Sequence, residues 1–255
     1  MRLLEHGADK RLIIKKSRVQ QFLLFVDTET TGLPGNWNTT YAAKRNWPYV
    51  AQLAWLVYTQ TGELVKEENH FLRVPAGQMR ARSQAIHGLT ATFLSEQGED
   101  PALVMQRFHD DLRVYQPLVV GHYMRLDFHM IGAEFHRTGL PNLLAELPTL
   151  CTMQTSQRHA KAVQRNFLRL GELHEHLFRE PMPRQHDAQA DAQATANCFF
   201  ELRRLGDLDE AIIAGQPQLL VPTAEPGIFQ RHRWLGPGVL VVAGVLLLLL
   251  FWVYG

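Results

Sequence analysis

The stretch Phe22–Gly32, FLLFVDTETTG, decides how this chain is read. It opens on an unbroken apolar run, the pattern of a buried strand. Two carboxylates then follow one residue apart. Successive side chains of a strand point to opposite faces, so Asp27 and Glu29 share a face. Two acids held side by side repel, and one resists ionising unless a cation sits between them. The competing reading is a plain acidic turn, with Gly32 and Pro34 as breakers.

Outward from this stretch, residues 22–27 read as a strand ending at the acid pair. LPGNWNTTYAAKRNWP (33–48) reads as a long polar loop. YVAQLAWLVY (49–58) and ELVKEENHFLRV (63–74) flank a Thr61-Gly62 turn and predict a hairpin. Helices are expected over 83–95, 102–115, 125–138, 167–178 and 187–205. PLVVGH (117–122) and PTLCTM (148–153) are short apolar strands. A three-strand meander followed by alternating helices and strands predicts an α/β fold, a mixed sheet with helices on both faces.

If Asp27 and Glu29 hold a cation, other carboxylates should arrive at strand ends or helix starts. Asp127 does so within VVGHYMRLDFHMI. Asp191 does so within RQHDAQADAQATANCFF, with His186 five residues before it. FVDTETTG, IHGLT (86–90), VVGH with LDFHM, and HDAQAD follow in that order along residues 20–205. Together they resemble the motifs of the DEDDh 3′–5′ exonucleases, the superfamily of the epsilon proofreading subunit, RNase T and oligoribonuclease. The spacing from His186 to Asp191 is similar to the histidine branch, and no tyrosine lies near Asp191.

That resemblance implies an RNase H-like mixed sheet. It implies that Asp27, Glu29, Asp127 and Asp191 ligate two Mg²⁺ or Mn²⁺ ions, with Asp27 bridging, and that His186 is the general base. It further implies nucleotide contacts from the backbone N–H groups of Thr28 and Thr30, and from Leu33, Ile86 and His87 against the terminal base or sugar. For Ile86 a core position, and for His87 a turn, are the alternatives. The chemistry is coherent: carboxylate oxygens suit hard divalent cations, and imidazole accepts a proton near neutral pH. Two positions depart from the family pattern. Tyr123 stands where Asn follows the motif His, and Leu126 stands where an aromatic precedes Asp. Neither removes a ligand, but both alter the nucleotide contacts expected there. Asp187 is read as a helix-start acid complementing the helix dipole.

The expected reaction is hydrolysis of the terminal phosphodiester at single-stranded 3′ ends, releasing nucleoside 5′-monophosphates, with DNA preferred. The rivals are an exoribonuclease, an accessory proofreading subunit of a DNA polymerase, and a non-catalytic nucleic-acid tether. A tether would tolerate loss of an acid or of His186, and all five are present. QLLVP (218–222) is faintly similar to a sliding-clamp peptide, which would add a clamp or polymerase partner. Arg184 reads as a phosphate contact or a plain surface residue. His174 and His176 diverge on a helix and are expected on a solvated face.

Composition sets the remaining bounds. The 255 residues carry a formal net charge of +1, so no global basic field marks a nucleic-acid partner. Two cysteines, Cys151 and Cys198, exclude a disulfide framework or a Cys-rich zinc site. The expected organisation is a basic arm (1–20), an exonuclease domain (21–206), a short helix with a Pro-rich linker (207–233), and a transmembrane helix (234–255). The arm concentrates Lys10, Arg11, Lys15, Lys16 and Arg18, and no signal-peptide core interrupts it. Trp234–Gly255 is 22 residues without a charge, roughly 33 Å as a helix against a hydrocarbon core of about 30 Å. Residues 239–253 contain twelve Leu, Val or Phe, favouring insertion by roughly 4–7 kcal/mol. Arg231 and Arg233 at its near flank predict a single-pass C-terminal anchor in the lipid bilayer, with the catalytic domain in the cytoplasm.

Overall fold

The computed structural model describes residues 20–223; the basic arm before them and the uncharged run from Trp234 lie outside the described residues. Strand β1 (Phe22–Thr30) continues past Asp27, so the acid pair lies inside the strand rather than beyond its end. The extension has a partner: β2 (Val50–Thr59) pairs antiparallel with it, setting Ala54 opposite Asp27 and Gln52 opposite Glu29. β3 (Leu64–Phe71) completes the hairpin on the far side of β2.

One helix was expected over 83–95, and two form: α1 (Ala81–His87) and α2 (Ala91–Gln97). Gly88 adopts φ 76°, a left-handed conformation that ends α1, and the Thr90 hydroxyl then accepts the Phe93 N–H to start α2. α3 (Pro101–Tyr115) begins with Asp100 accepting the Ala102 N–H. β4 (Leu118–Gly121) leads into α4 (Arg125–Thr138). β5 (Thr149–Cys151) is shorter than expected because Thr152 already opens the short helix α5 (Thr152–Thr155). α6 (Gln157–Ala162), α7 (Leu170–Phe178), α8 (Ala188–Arg204) and α9 (Glu210–Ala214) follow.

The five-stranded sheet has the order β3-β2-β1-β4-β5. β1 and β2 are antiparallel, whereas β4 runs parallel to β1 and β5 parallel to β4. Alternation along β1 divides the core between the two faces. Leu24 and Val26 pack with Phe108 of α3 and with Phe128 and Ile131 of α4. Leu23 and Phe25 pack with Ala192, Ala196 and Phe199 of α8. Each such side chain, when fully buried, stabilises the fold by about 1.5–3 kcal/mol. The expected mixed sheet with helices on both faces is therefore the one observed.

Part of the 207–233 stretch expected as a short helix and Pro-rich linker is packed onto the domain. Leu219 packs against the α3–α4 core, and the Gln218 side chain donates to the Ala145 carbonyl at 3.2 Å. Among the described residues no helix is long and apolar enough to cross a membrane.

Candidate functional site

Three elements bring the acids together. β1, at the centre of the sheet, turns Asp27 and Glu29 towards the face that α8 covers. α8 carries Asp191 in its first turn, and α4, entered directly from β4, carries Asp127 in its own first turn. Asp127 is fixed from β1: the buried Thr28 hydroxyl donates to its Oδ1 at 2.8 Å. Gly121 keeps this corner open, because a Cβ there would lie 2.8 Å from the Met124 sulfur and 3.4 Å from Asp127 Oδ2.

The start of α8 is fixed from β2. The Ala188 N–H donates to Gln52 Oε1 at 3.3 Å, and the Gln52 amide donates to Asn69 Oδ1 at 3.0 Å. Asn69 in turn donates to Gln189 on α8 at 3.2 Å. Asp187 caps the helix by accepting the Ala190 N–H at 3.1 Å, as its helix-start reading anticipated. Gln52 and the Thr28 hydroxyl were not singled out in the sequence. A lone amide inside an otherwise apolar strand was the available signal for Gln52.

The electrostatics are one-sided. Burial, then the Asp127, Asp191 and Glu29 carboxylates, hold Asp27 well above the ordinary carboxylate range. Burial, then Asp191 and Asp127, push Glu29 up to about 8. Burial raises Asp127 to about 7 against the opposing hydrogen bond from Thr28. Asp191 rises to about 7 through burial and Asp187, opposed by the His186 N–H that donates to its Oδ2 at 3.3 Å. Among the described residues no Lys or Arg forms a salt bridge with any of the four.

Ligand atoms of Glu29, His186 and Asp191 lie within 4.8 Å of one another. Asp191 Oδ1 is buried with no hydrogen-bond partner. An orphaned carboxylate oxygen among mutually repelling acids suits a hard divalent cation. His186 (φ 66°) and Arg184 (φ 48°) both adopt left-handed backbone conformations. Non-glycine residues take these at a cost and are over-represented at functional sites.

The other expected contacts distribute around the end of β1. The Thr28 side chain is committed to Asp127, and the Thr30 hydroxyl donates to the Gly32 carbonyl at 2.8 Å. His87 accepts the Leu89 N–H at Nδ1, 3.0 Å away, which leaves Nε2–H to donate to the Thr30 carbonyl at 3.3 Å. Burial, and then the nearby His186, keep the His87 ring below its ordinary pKa although the Thr30 bond opposes them. Ile86 is 49% exposed on a helix with no buried residue, so it is not a core residue. Leu33 is exposed as well.

The solvated-face expectation for His174 and His176 fails. His174 is buried and bonds to the Glu180 carbonyl, while His176 Nε2 lies 3.1 Å from His159 Nδ1 on α6. The partners come from another helix and a following loop, which spacing along α7 does not reveal.

The family model described as Exonuclease (RNase_T) matches residues 24–199. Among curated proteins none matches the chain. Among solved structures, E. coli Exonuclease I in complex with a dT13 oligonucleotide is similar at 20% identity and a TM-score of 0.59, covering 74% of this chain and 43% of that one. The zinc-bound form of the E. coli ExoI–ssDNA complex is similar at 19% identity and a TM-score of 0.59, covering 72% and 41%. The chain thus spans less than half the length of these solved chains, and at such identity the likeness is one of fold.

Proposed function

The chain belongs to the exonuclease family, and from that premise we propose that it is a metal-dependent 3′–5′ exonuclease releasing nucleoside 5′-monophosphates. One observation carries the reading: four carboxylates cluster at one end of β1 with raised pKa values, and among the described residues no Lys or Arg forms a salt bridge with them. Asp27, Glu29, Asp127 and Asp191 would hold two Mg²⁺ or Mn²⁺ ions, with Asp27 shared. Such ions, when bound, supply positive charge to both the entering and the leaving oxygen of an in-line displacement.

The protein's own groups do the rest. His186, beside Glu29 and Asp191, accepts a proton from the attacking water. The water oxygen forms the new bond to phosphorus as the bond to the 3′ oxygen breaks, and the freed 3′ oxygen is protonated from solvent. Thr28 holds Asp127 in orientation, and Gln52 holds the first turn of α8. Leu33 and Ile86, exposed beyond β1, would rest against the terminal nucleotide.

Single-stranded DNA is the favoured substrate, by analogy with the oligonucleotide-bound Exonuclease I structures, and RNA is second. The uncharged run 234–255 with Arg231 and Arg233 before it supports a single membrane span, with the nuclease on the cytoplasmic side. The activity is tested by incubating the full chain with 3′-labelled and 5′-labelled DNA and RNA single strands in Mg²⁺, Mn²⁺ or EDTA. Mononucleotides released from the 3′ end only with metal are expected; release from the 5′ end, or persistence in EDTA, would overturn the reading. Fractionation of the full chain against one lacking 234–255 tests the span, and a soluble full chain would refute it.

A further inference from the structure

The loop joining β1 to β2 is fastened more firmly than its polar composition requires. The Tyr41 hydroxyl meets His129 Nδ1 at 3.0 Å, and the Trp47 ring stacks on His129 with centroids 5.5 Å apart. Trp47 Nε1 donates to the Thr39 and Thr40 carbonyls, and Arg137 donates to the Pro48 carbonyl at 2.9 Å. These contacts fix the loop on α4; Trp37 lies edge-on to the same His129 ring at 5.8 Å but is not buried by it. Trp37 instead stays half-buried, with the Arg125 guanidinium 4.8 Å from its ring centroid and the Tyr123 ring edge-on at 6.4 Å.

Tyr123 is exposed, with φ 65°. Arg125 is exposed and forms no salt bridge among the described residues. Both lie just ahead of Asp127 at the start of α4. Trp37, Asn38, Arg125 and His129 form one wall of a groove of about 520 Å³ whose other wall is residues 218–223. The steps proposed above use none of these side chains.

We propose that Trp37, Tyr123 and Arg125 form a cradle for a nucleotide flanking the cleaved linkage of single-stranded nucleic acid, a reading that rests on the exonuclease assignment. The rings offer stacking surface, which is tolerant of base identity. The Arg125 guanidinium, in no salt bridge among the described residues, supplies a phosphate contact beside a cluster that otherwise repels a polyanion.

The test uses the full chain in detergent, with a fluorescein-labelled oligothymidylate followed by anisotropy in EDTA. Trp37→Ala should weaken binding about 5- to 150-fold, with Trp37→Phe retaining most of the affinity. Arg125→Gln should reduce the salt slope by about 0.7, one phosphate contact on a single strand. Under turnover with Mn²⁺, Trp37→Ala should raise KM for the oligomer far more than for the p-nitrophenyl ester of thymidine 5′-monophosphate, which has no flanking base. Tyr123→Ala provides a second variant should Trp37→Ala unfold.

Wild-type affinity in both alanine variants, with turnover still abolished by Asp27→Asn, would overturn the cradle and leave the nuclease intact. No metal-dependent turnover of either substrate would overturn the nuclease itself. Tryptophan fluorescence that responds through Trp37 to anionic phosphatidylserine vesicles but not to oligothymidylate would assign the groove to lipid and refute the proposal.

Discussion

Two acid-rich clusters flank this sheet, and they are opposites. At the β2–β3–α3 side, Asp111, Glu68 and Glu99 are each met by a cationic or hydrogen-bonding partner. Lys66 reaches Asp111 at 2.8 Å and Glu68 at 3.1 Å. His70 bridges Glu68 and Glu99 at 2.8 and 2.6 Å, Arg107 adds a contact to Glu99 at 2.7 Å, and Trp55 donates to Asp111 at 2.8 Å. Burial alone would raise Glu68 and Glu99, yet hydrogen bonds from Lys66 and His70 to the first, and from His70 and Arg107 to the second, hold both lowered. At the β1–α4–α8 side, no Lys or Arg among the described residues pairs with the acids, which face one another, His186 and a hydrogen-bond donor or two, and all four are raised. A structural acid cluster carries its own cations. The other is complete only when cations arrive from outside.

Four measurements separate the two clusters, and the loss is greatest at Asp27. Asp27→Asn should reduce hydrolysis to background, since a neutral amide replaces the anion shared between two cation sites. A rate within a few-fold of wild type at saturating Mn²⁺ would end the two-cation assignment. His186→Ala should lower single-turnover hydrolysis by about 10²–10⁴-fold while nucleic-acid affinity holds, as loss of a general base does. Preserved chemistry with collapsed binding would make His186 a substrate-holding group instead. Asp111→Asn, in the balanced cluster, should cost about 1.5–3 kcal/mol of stability by urea titration, because Lys66 loses the more buried of its two carboxylate partners and keeps only Glu68, while Trp55 keeps an acceptor. That variant should keep its turnover, and a large loss of activity would show the two clusters to be coupled.

The smallest effect is a difference in sign. Glu29, Asp127 and Asp191 have folded pKa values above those of the unfolded chain. The folded state therefore binds more protons between about pH 4 and 8, and their contribution to stability falls as pH rises through that window. Glu68 and Glu99 are depressed, so their contribution is present above the unfolded value and lost as pH falls below it. Calorimetry in EDTA should show Tm declining towards pH 8, with saturating Mn²⁺ restoring it because metal binds the deprotonated carboxylates. Asp27→Asn should raise the EDTA Tm at pH 8 and shrink the metal increment. A Tm flat in EDTA from about pH 6 to 8 would remove the claim that these acids strain the empty fold.

Much of this arrangement was legible in residue order. Asp27 and Glu29 stood out because period-two alternation fixes their shared face, and Asp127 and Asp191 because each follows a motif in the right sequence of motifs. What escaped was long-range hydrogen bonding. Gln52 and Ala188 are 136 positions apart, and Thr28 and Asp127 are 99 apart, so no local pattern joins them. The break at Gly88 escaped for a different reason: α1 buries no residue and α2 only Leu94, so no apolar pattern marks where one short helix ends and the next begins. Asp207, which receives His159 at 2.7 Å, likewise lies 48 positions from it.

The position of β1 has a consequence for how the enzyme comes into being. β1 is the first strand of the described chain and the centre of the sheet, and the helix that completes its acid cluster is α8, near the other end. Growing from the N-terminus, a nascent chain can close the β1–β2–β3 hairpins early, because those contacts are local. It cannot seat Asp191 against Glu29 until α8 has left the ribosome. A chain still being synthesised therefore lacks the four-carboxylate set, and the site is completed only once α8 docks on β1.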